Sequence, residues 1–254
     1  MQHSFNILLL TMTVLAVIVF IALYFVDVGY GRFYNRKWGL SINNKLGWTM
    51  MEAPVFIMML VLWLISDRLT DVVRMIFLLF FQIHYFQRSF IFPFRLRGKS
   101  SMAILVVAMG VLFNLLNATM QGGWIFHVSP PDYYTVSWFW SPQFIVGTIL
   151  FFVGMHMNHK SDNIIRKLRN NGNNEYHLPK EGMFRHVTSA NYFGELIEWI
   201  GFAILTWSWA GVVFVVWTFA NLAPRAAKIH ERYKRDFPGE MKGRKVKRII
   251  PYVY

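Results

Sequence analysis

The chain reads as an all-α, polytopic membrane protein: seven transmembrane helices in one domain over residues 1–254, N-terminus outside and C-terminus cytosolic. Three observations predict this. Of the 254 residues 55% are hydrophobic, yet the formal net charge is +13. A soluble fold with that balance would expose apolar patches large enough to associate, whereas a bilayer puts the apolar residues against lipid and the basic ones in connections. Secondly, the apolar residues fall into runs close to the roughly 20 residues needed to cross hydrocarbon. Thirdly, the basic residues are concentrated on alternate connections.

The first run, 7–26, contains no Lys, Arg or Glu, and no Lys or Arg precedes Arg32. It lacks the basic leader of a cleavable signal and is too long for one, so it reads as a retained span. The second run, 48–66, carries one acid, Glu52. The third covers 72–92, the fourth 102–120, the fifth 142–157 and the sixth 191–206. The seventh runs from Ala210 into a basic tail, after a tight connection at Trp207-Ser208-Trp209 whose two indoles suit a membrane interface.

Seven spans put 24 of the 26 Lys and Arg residues on one side, leaving only Arg68 and Arg74 on the other. The positive-inside rule makes the rich side cytosolic. A nucleic-acid surface would not be cut into pieces by apolar spans, so no nucleic-acid partner is expected. There is no Cys, which removes disulfides and thiolate chemistry. Dinucleotide-fold, P-loop and zinc-protease motifs are missing, and no metal is expected, since His156 and His159 have no third ligand nearby.

Polar groups inside spans are costly unless they line a cavity, so each is a site candidate. Glu52 lies a turn into the second run, and His84-Tyr85 in the third. A carboxyl kept neutral by apolar surroundings and a phenol together can donate hydrogen bonds to one carbonyl oxygen; an interfacial Glu52 and a merely packed Tyr85 is the equal alternative. Asn191, Glu195 and Glu198 share one face of the sixth run and must look into the bundle, while Gly194 permits close approach of backbone or ligand. Arg166 and Arg169 follow the fifth run, and Arg225, His230, Arg232 and Tyr233 end the seventh. Arginines of this kind suit the phosphates of an anionic cofactor, against the simpler role of binding lipid headgroups. The residues alone therefore lead to a membrane enzyme with a lipid-soluble substrate and a soluble anionic cofactor, its reaction unnamed.

Several segments resemble the steroid 5α-reductase family, most like the type 2 isozyme. They are Gly29-Tyr30-Gly31-Arg32, Glu52-Ala53-Pro54, His84-Tyr85-Phe86-Gln87-Arg88, Asn158-His159-Lys160-Ser161-Asp162 and Asn191-Tyr192-Phe193-Gly194-Glu195-Leu196-Ile197-Glu198-Trp199, with Pro224-Arg225 and Ile250-Pro251-Tyr252 toward the end. The resemblance implies NADPH as cofactor and reduction of the C4–C5 double bond of a 3-oxo-Δ4-steroid by a monomeric enzyme among membrane lipids. By position, it implies that Glu52 and Tyr85 are catalytic, holding the C3 carbonyl. It implies cofactor binding by Tyr30, Arg97, Lys99, Asn158, Asp162, Arg169, Tyr176, Asn191, Glu195, Arg225 and Tyr233. The chain departs from the family pattern at Met51, His177 and Ile229, where Gln, Arg and His are usual, which points to a distant relative such as a bacterial one, in an inner membrane or the endoplasmic reticulum. Reduction of another enone or an enoyl lipid is the nearest alternative, and a membrane methyltransferase using S-adenosylmethionine a more distant one.

Overall fold

The structure is a computed structural model that describes residues 2–26, 36–97, 100–169 and 177–254. The described residues contain seven helices of 17 residues or more: α1 (Gln2–Phe25), α2 (Asn44–Leu64), α3 (Val72–Arg95), α4 (Ile104–Val128), α5 (Pro142–Leu168), α6 (Ala190–Thr206) and α7 (Trp209–Asp236). Each expected run overlaps one of them. Five, α1 to α4 and α7, are long and apolar enough to cross a membrane. α6 is short at 17 residues, and α5 carries His156, Asn158, His159, Lys160 and Asp162 along its second half.

Local chemistry explains the helix ends. Asp71 accepts from Arg74 N at 3.0 Å to start α3, and Ser141 accepts from Phe144 N at 3.1 Å to start α5, with Pro142 at the first position. Trp207 turns the chain with a φ of 44°, and Ser208 then caps α7 by accepting from Gly211 N at 3.0 Å. Both flanking indoles, Trp207 and Trp209, are exposed, as expected of an interfacial turn.

α3 holds a departure from expectation. It widens into a π-helical turn over Gln87–Ile91, just before Pro93, which cannot donate a backbone hydrogen bond. The helix thereby continues past Phe92 to Arg95. Arg88, which falls inside the run 72–92 although counted with the cytosolic basic residues, lies within the helix with only 12% of its side chain exposed. A second unexpected element is a small antiparallel ribbon, β1 (Ser41–Asn43) with β2 (Ser101–Ala103), which pairs Ser41 with Ala103 and ties together the starts of α2 and α4.

α5 packs along α6, α2 along α4, and α7 along both α1 and α6. The α5–α6 seam is the closest. Gly147 and Gly154 on α5 face Gly201 and Gly194 on α6, and a Cβ at any of the four would lie 2.2 to 2.4 Å from a backbone nitrogen of the other helix. Such contact depends on having no side chain, and in lipid it is packing rather than hydrophobic exclusion that holds helices together. Gly194 therefore serves an approach of backbone to backbone. Beside the seam, Phe81, Tyr85, Phe151, Trp199, Phe202 and Phe214 form the aromatic centre of the bundle.

Candidate active site

The site is assembled on α2, α3, α4, α5 and α6. Glu52 points from α2 toward α4, where Asn114 donates to its Oε2 at 3.2 Å and to Met51 O at 2.7 Å. Tyr85 is buried on α3, and its hydroxyl accepts from Asn117 of α4 at 2.9 Å. Glu52 and Tyr85 are within electrostatic reach of each other. One turn of α4 thus backs both groups, and the sequence reading named neither asparagine. Trp199 walls the site, its ring 5.8 Å from that of Tyr85. His84 meets Glu198 of α6, Nδ1 to Oε1 at 2.8 Å, with its ring edge-on to that of Tyr85 at 4.9 Å, and both His84 and Glu198 are buried.

The expected polar face of α6 does look into the bundle. Asn158 of α5 donates to Asn191 O at 3.0 Å and, more loosely, to Glu195 Oε2 at 3.5 Å. Asn191 returns a hydrogen bond to Asp162 Oδ1 at 3.1 Å. Four of the expected cofactor residues therefore form one connected group across the glycine seam. Arg88 joins this group to Glu52. Its Nη1 lies 3.6 Å from Asp162 Oδ2, and it sits in the field of Glu195, Asp162, Glu52 and Glu198. Its guanidinium packs on Trp48 and Phe92, 5.1 and 4.3 Å from the ring centres. The spacing of Tyr85 and Arg88, three apart on one helix face, is the signal that could have revealed it.

A cleft of about 160 Å³ continues from Asn191. Arg169, His177, Asn191, Tyr192, Arg232 and Tyr233 are among its walls, so three expected cofactor residues, Arg169, Asn191 and Tyr233, meet there. Ile229 and His177, two positions of departure, also line it. Arg225 is half-buried on α7, and Arg97 is exposed two residues beyond α3; neither lines the cleft. Tyr30, Lys99 and Tyr176 lie outside the described residues. Guanidiniums, an amide and a phenol are the groups that phosphates and a carboxamide accept hydrogen bonds from, so this donor set fits an anionic dinucleotide. The arrangement is a carboxyl and a phenol against an apolar aromatic wall, linked by a buried arginine and a hydrogen-bonded cluster to a basic cleft.

Comparison with known proteins gives one answer. A family model described as 3-oxo-5-alpha-steroid 4-dehydrogenase matches residues 100–254. The steroid 5-alpha-reductase of Arabidopsis thaliana is 36% identical over 92% of this chain and 90% of its own length. The 3-oxo-5-alpha-steroid 4-dehydrogenase 1 of Mus musculus is 35% identical over 94% and 92%, and that of Homo sapiens 35% identical over 89% and 86%. With that likeness extending over nearly all of its length, the chain belongs to the 3-oxo-5-alpha-steroid 4-dehydrogenase family of oxidoreductases.

Proposed function

We propose that this chain uses NADPH to reduce the C4–C5 double bond of a 3-oxo-Δ4-steroid, giving the 5α product. The observation that carries this reading is the backing of Glu52 and Tyr85 by one turn of α4, beside a polar cluster that leads to a basic cleft. Asn158, Asp162, Arg169, Asn191, Glu195, Arg225 and Tyr233 would hold the cofactor, joined by Tyr30, Arg97, Lys99 and Tyr176. When bound, the reduced nicotinamide supplies the hydride that adds to C5. Tyr85 and a neutral Glu52 donate hydrogen bonds to the C3 carbonyl oxygen. As the C4–C5 electron pair moves toward that oxygen its negative charge grows, so both donors bind the transition state more strongly than the ground state. The carbonyl reforms when C4 takes a proton. Trp199, Phe81 and Phe214 keep water from the site, which strengthens each of these interactions.

The same reading sets the topology: one domain of seven spans, N-terminus outside, with the cleft on the cytosolic side where 24 of the 26 Lys and Arg residues gather. The test is turnover of the detergent-purified protein with NADPH and progesterone, following NADPH absorbance and product stereochemistry. Glu52→Met and Tyr85→Phe, which remove the donors, should each lower kcat by about 100-fold, with NADPH affinity nearly unchanged, whereas Glu52→Gln keeps an N–H in place and should lose less. Full activity in Glu52→Met, or turnover of an enoyl thioester without turnover of the steroid, overturns the reading.

A further inference from the structure

Asn114 and Asn117 decide which way the hydroxyl protons of the site point. They lie three residues apart on α4 and so share a face. Both are buried, at 4% and 0% exposure, where an amide can meet only what the fold gives it. Met51 O accepts from Asn114 Nδ2 at 2.7 Å. A backbone carbonyl can only accept, so this contact fixes the orientation of the Asn114 amide with its NH₂ inward. The same NH₂ then meets Glu52 Oε2 at 3.2 Å and must donate to it. That occupies one carboxyl oxygen as an acceptor and leaves the proton of a neutral Glu52 to the other. Asn117 donates to Tyr85, with its Nδ2 2.9 Å from the phenol oxygen and its own Oδ1 buried without a hydrogen-bond partner. A phenol oxygen that accepts from behind keeps its own proton free to donate forward. The opposite amide orientation would take that proton for Asn117 Oδ1 and leave the substrate carbonyl with none.

We propose that Asn114 and Asn117 are positioning residues, which aim the Glu52 and Tyr85 protons at the substrate carbonyl by donating to each group from the side away from it. The proposal rests on the roles given above to Glu52 and Tyr85. Each asparagine acts only through its partner, and that dependence separates positioning from packing.

The experiment is a pair of double-mutant cycles read two ways. Asn117→Leu, close in volume, should lower kcat about 10-fold, less than the loss of the donor itself. KM for the steroid should stay within about threefold. In a Tyr85→Phe background Asn117→Leu should cost nothing further. Asn114→Leu should behave likewise against Glu52→Met, which removes the group Asn114 donates to. The second readout needs no turnover: the infrared stretch of progesterone labelled with carbon-13 at C3, bound to the protein without NADPH. The parent should shift this band to lower frequency than in hexane, and each Leu variant should reverse part of the shift only while its partner is present. A rise in activity in Asn117→Leu would mean that the amide takes the phenol proton, and the proposal falls. An equal loss in the Tyr85→Phe background assigns Asn117 to packing and also overturns it. An unmoved band in both Leu variants with turnover intact overturns the positioning role and leaves the reductase reading standing. A band that moves as expected in a protein that never reduces the steroid does the reverse, and failure of the steroid to bind overturns both.

Discussion

Gly154→Ala tests whether the α5–α6 seam holds the candidate cofactor site together. The added Cβ would lie 2.2 Å from Glu198 N and 2.6 Å from both Glu198 Cα and Gly194 O. Carbon needs about 3.5 Å from such atoms, so the two helices must part by about 1.3 Å, because backbone cannot rotate out of the way. Overpacking of this kind costs about 1–3 kcal/mol. The same displacement acts on Asn158, one turn along α5. Its 3.0 Å bond to Asn191 O would stretch beyond hydrogen-bonding range, and its 3.5 Å contact with Glu195 would be lost. A misplacement of about 1 Å near a reacting centre can cost on the order of 100-fold in rate. NADPH titration, steroid turnover and a melting curve in detergent should therefore all worsen together. Gly110→Ala is the control: its Cβ would approach the Met51 side chain at 2.3 Å, as close as at Gly154, but against a flexible thioether that can move aside. It should cost clearly less in melting temperature. Equal melting losses in the two variants, or a Gly154→Ala protein with parental activity, would refute the argument that backbone contact sets the site.

Three further outcomes follow from the structure. Arg169→Ala should weaken NADPH binding about tenfold or more in fluorescence titrations and flatten its salt dependence, while steroid affinity holds, because Arg169 lines the basic cleft and not the Glu52–Tyr85 site. Arg74→Met should lower thermal stability severely, by about 3–5 kcal/mol for breaking a buried pair: Arg74 is fully buried, pairs with Asp71, donates to Ile125 O and Pro130 O at 2.8 Å each and to Ser129 Oγ at 3.0 Å, and packs on the Tyr134 ring. Ser208→Ala removes the cap of α7 and should cost about 1 kcal/mol, seen as a small fall in melting temperature with NADPH affinity unchanged.

What could be read from the sequence was local or periodic. Each apolar run falls on one of the seven long helices among the described residues, five of which are long and apolar enough to cross a membrane, and Trp207-Ser208-Trp209 announced the turn between α6 and α7. The face shared by Asn191, Glu195 and Glu198 could be read because helical spacing fixes it, and all three do meet partners inside the bundle or line the cleft. What could not be read depended on another helix. Asn114 and Asn117 are neutral amides in a plainly apolar run, and only their distance to α2 and α3 makes them part of the site. The glycines at 147, 154, 194 and 201 repeat every seven residues on each helix, but the repeat does not say which helix faces which. Arg88 falls inside the run 72–92 yet counts with the cytosolic basic residues, and only the contacts of its helix with α2 and α5 make it part of the site. The ribbon of Ser41–Asn43 with Ser101–Ala103 has strands too short to leave a pattern.

Hydropathy and chemistry also pull in opposite directions along this chain: α5 is long enough to span but carries too many polar residues, while α6 falls short by its length of 17 residues. α1 is the most apolar of the five and the least buried: Phe5, Met12 and Ala16 are its buried residues, with Leu8, Leu9, Val19 and Phe20 partly buried against the core. That narrow stripe holds it to the bundle, helped by Trp217 of α7, which donates to Met12 O at 2.7 Å, and by the stacking of Phe20 on Phe219. α5 and α6 are the reverse. They carry Asn158, Asp162, Asn191, Glu195 and Glu198, which lipid would not accept, and they exclude lipid from that face by packing backbone to backbone at four glycines. Glycine at the seam shortens the distance across which Asn158 must reach Asn191 and Glu195, so the feature that encloses the polar groups also connects them. A larger residue at the seam would both loosen the cluster and open it to lipid. The low hydropathy of α5 is thus a compositional trace of the site, and α1, the most apolar of the five, contributes no residue to it.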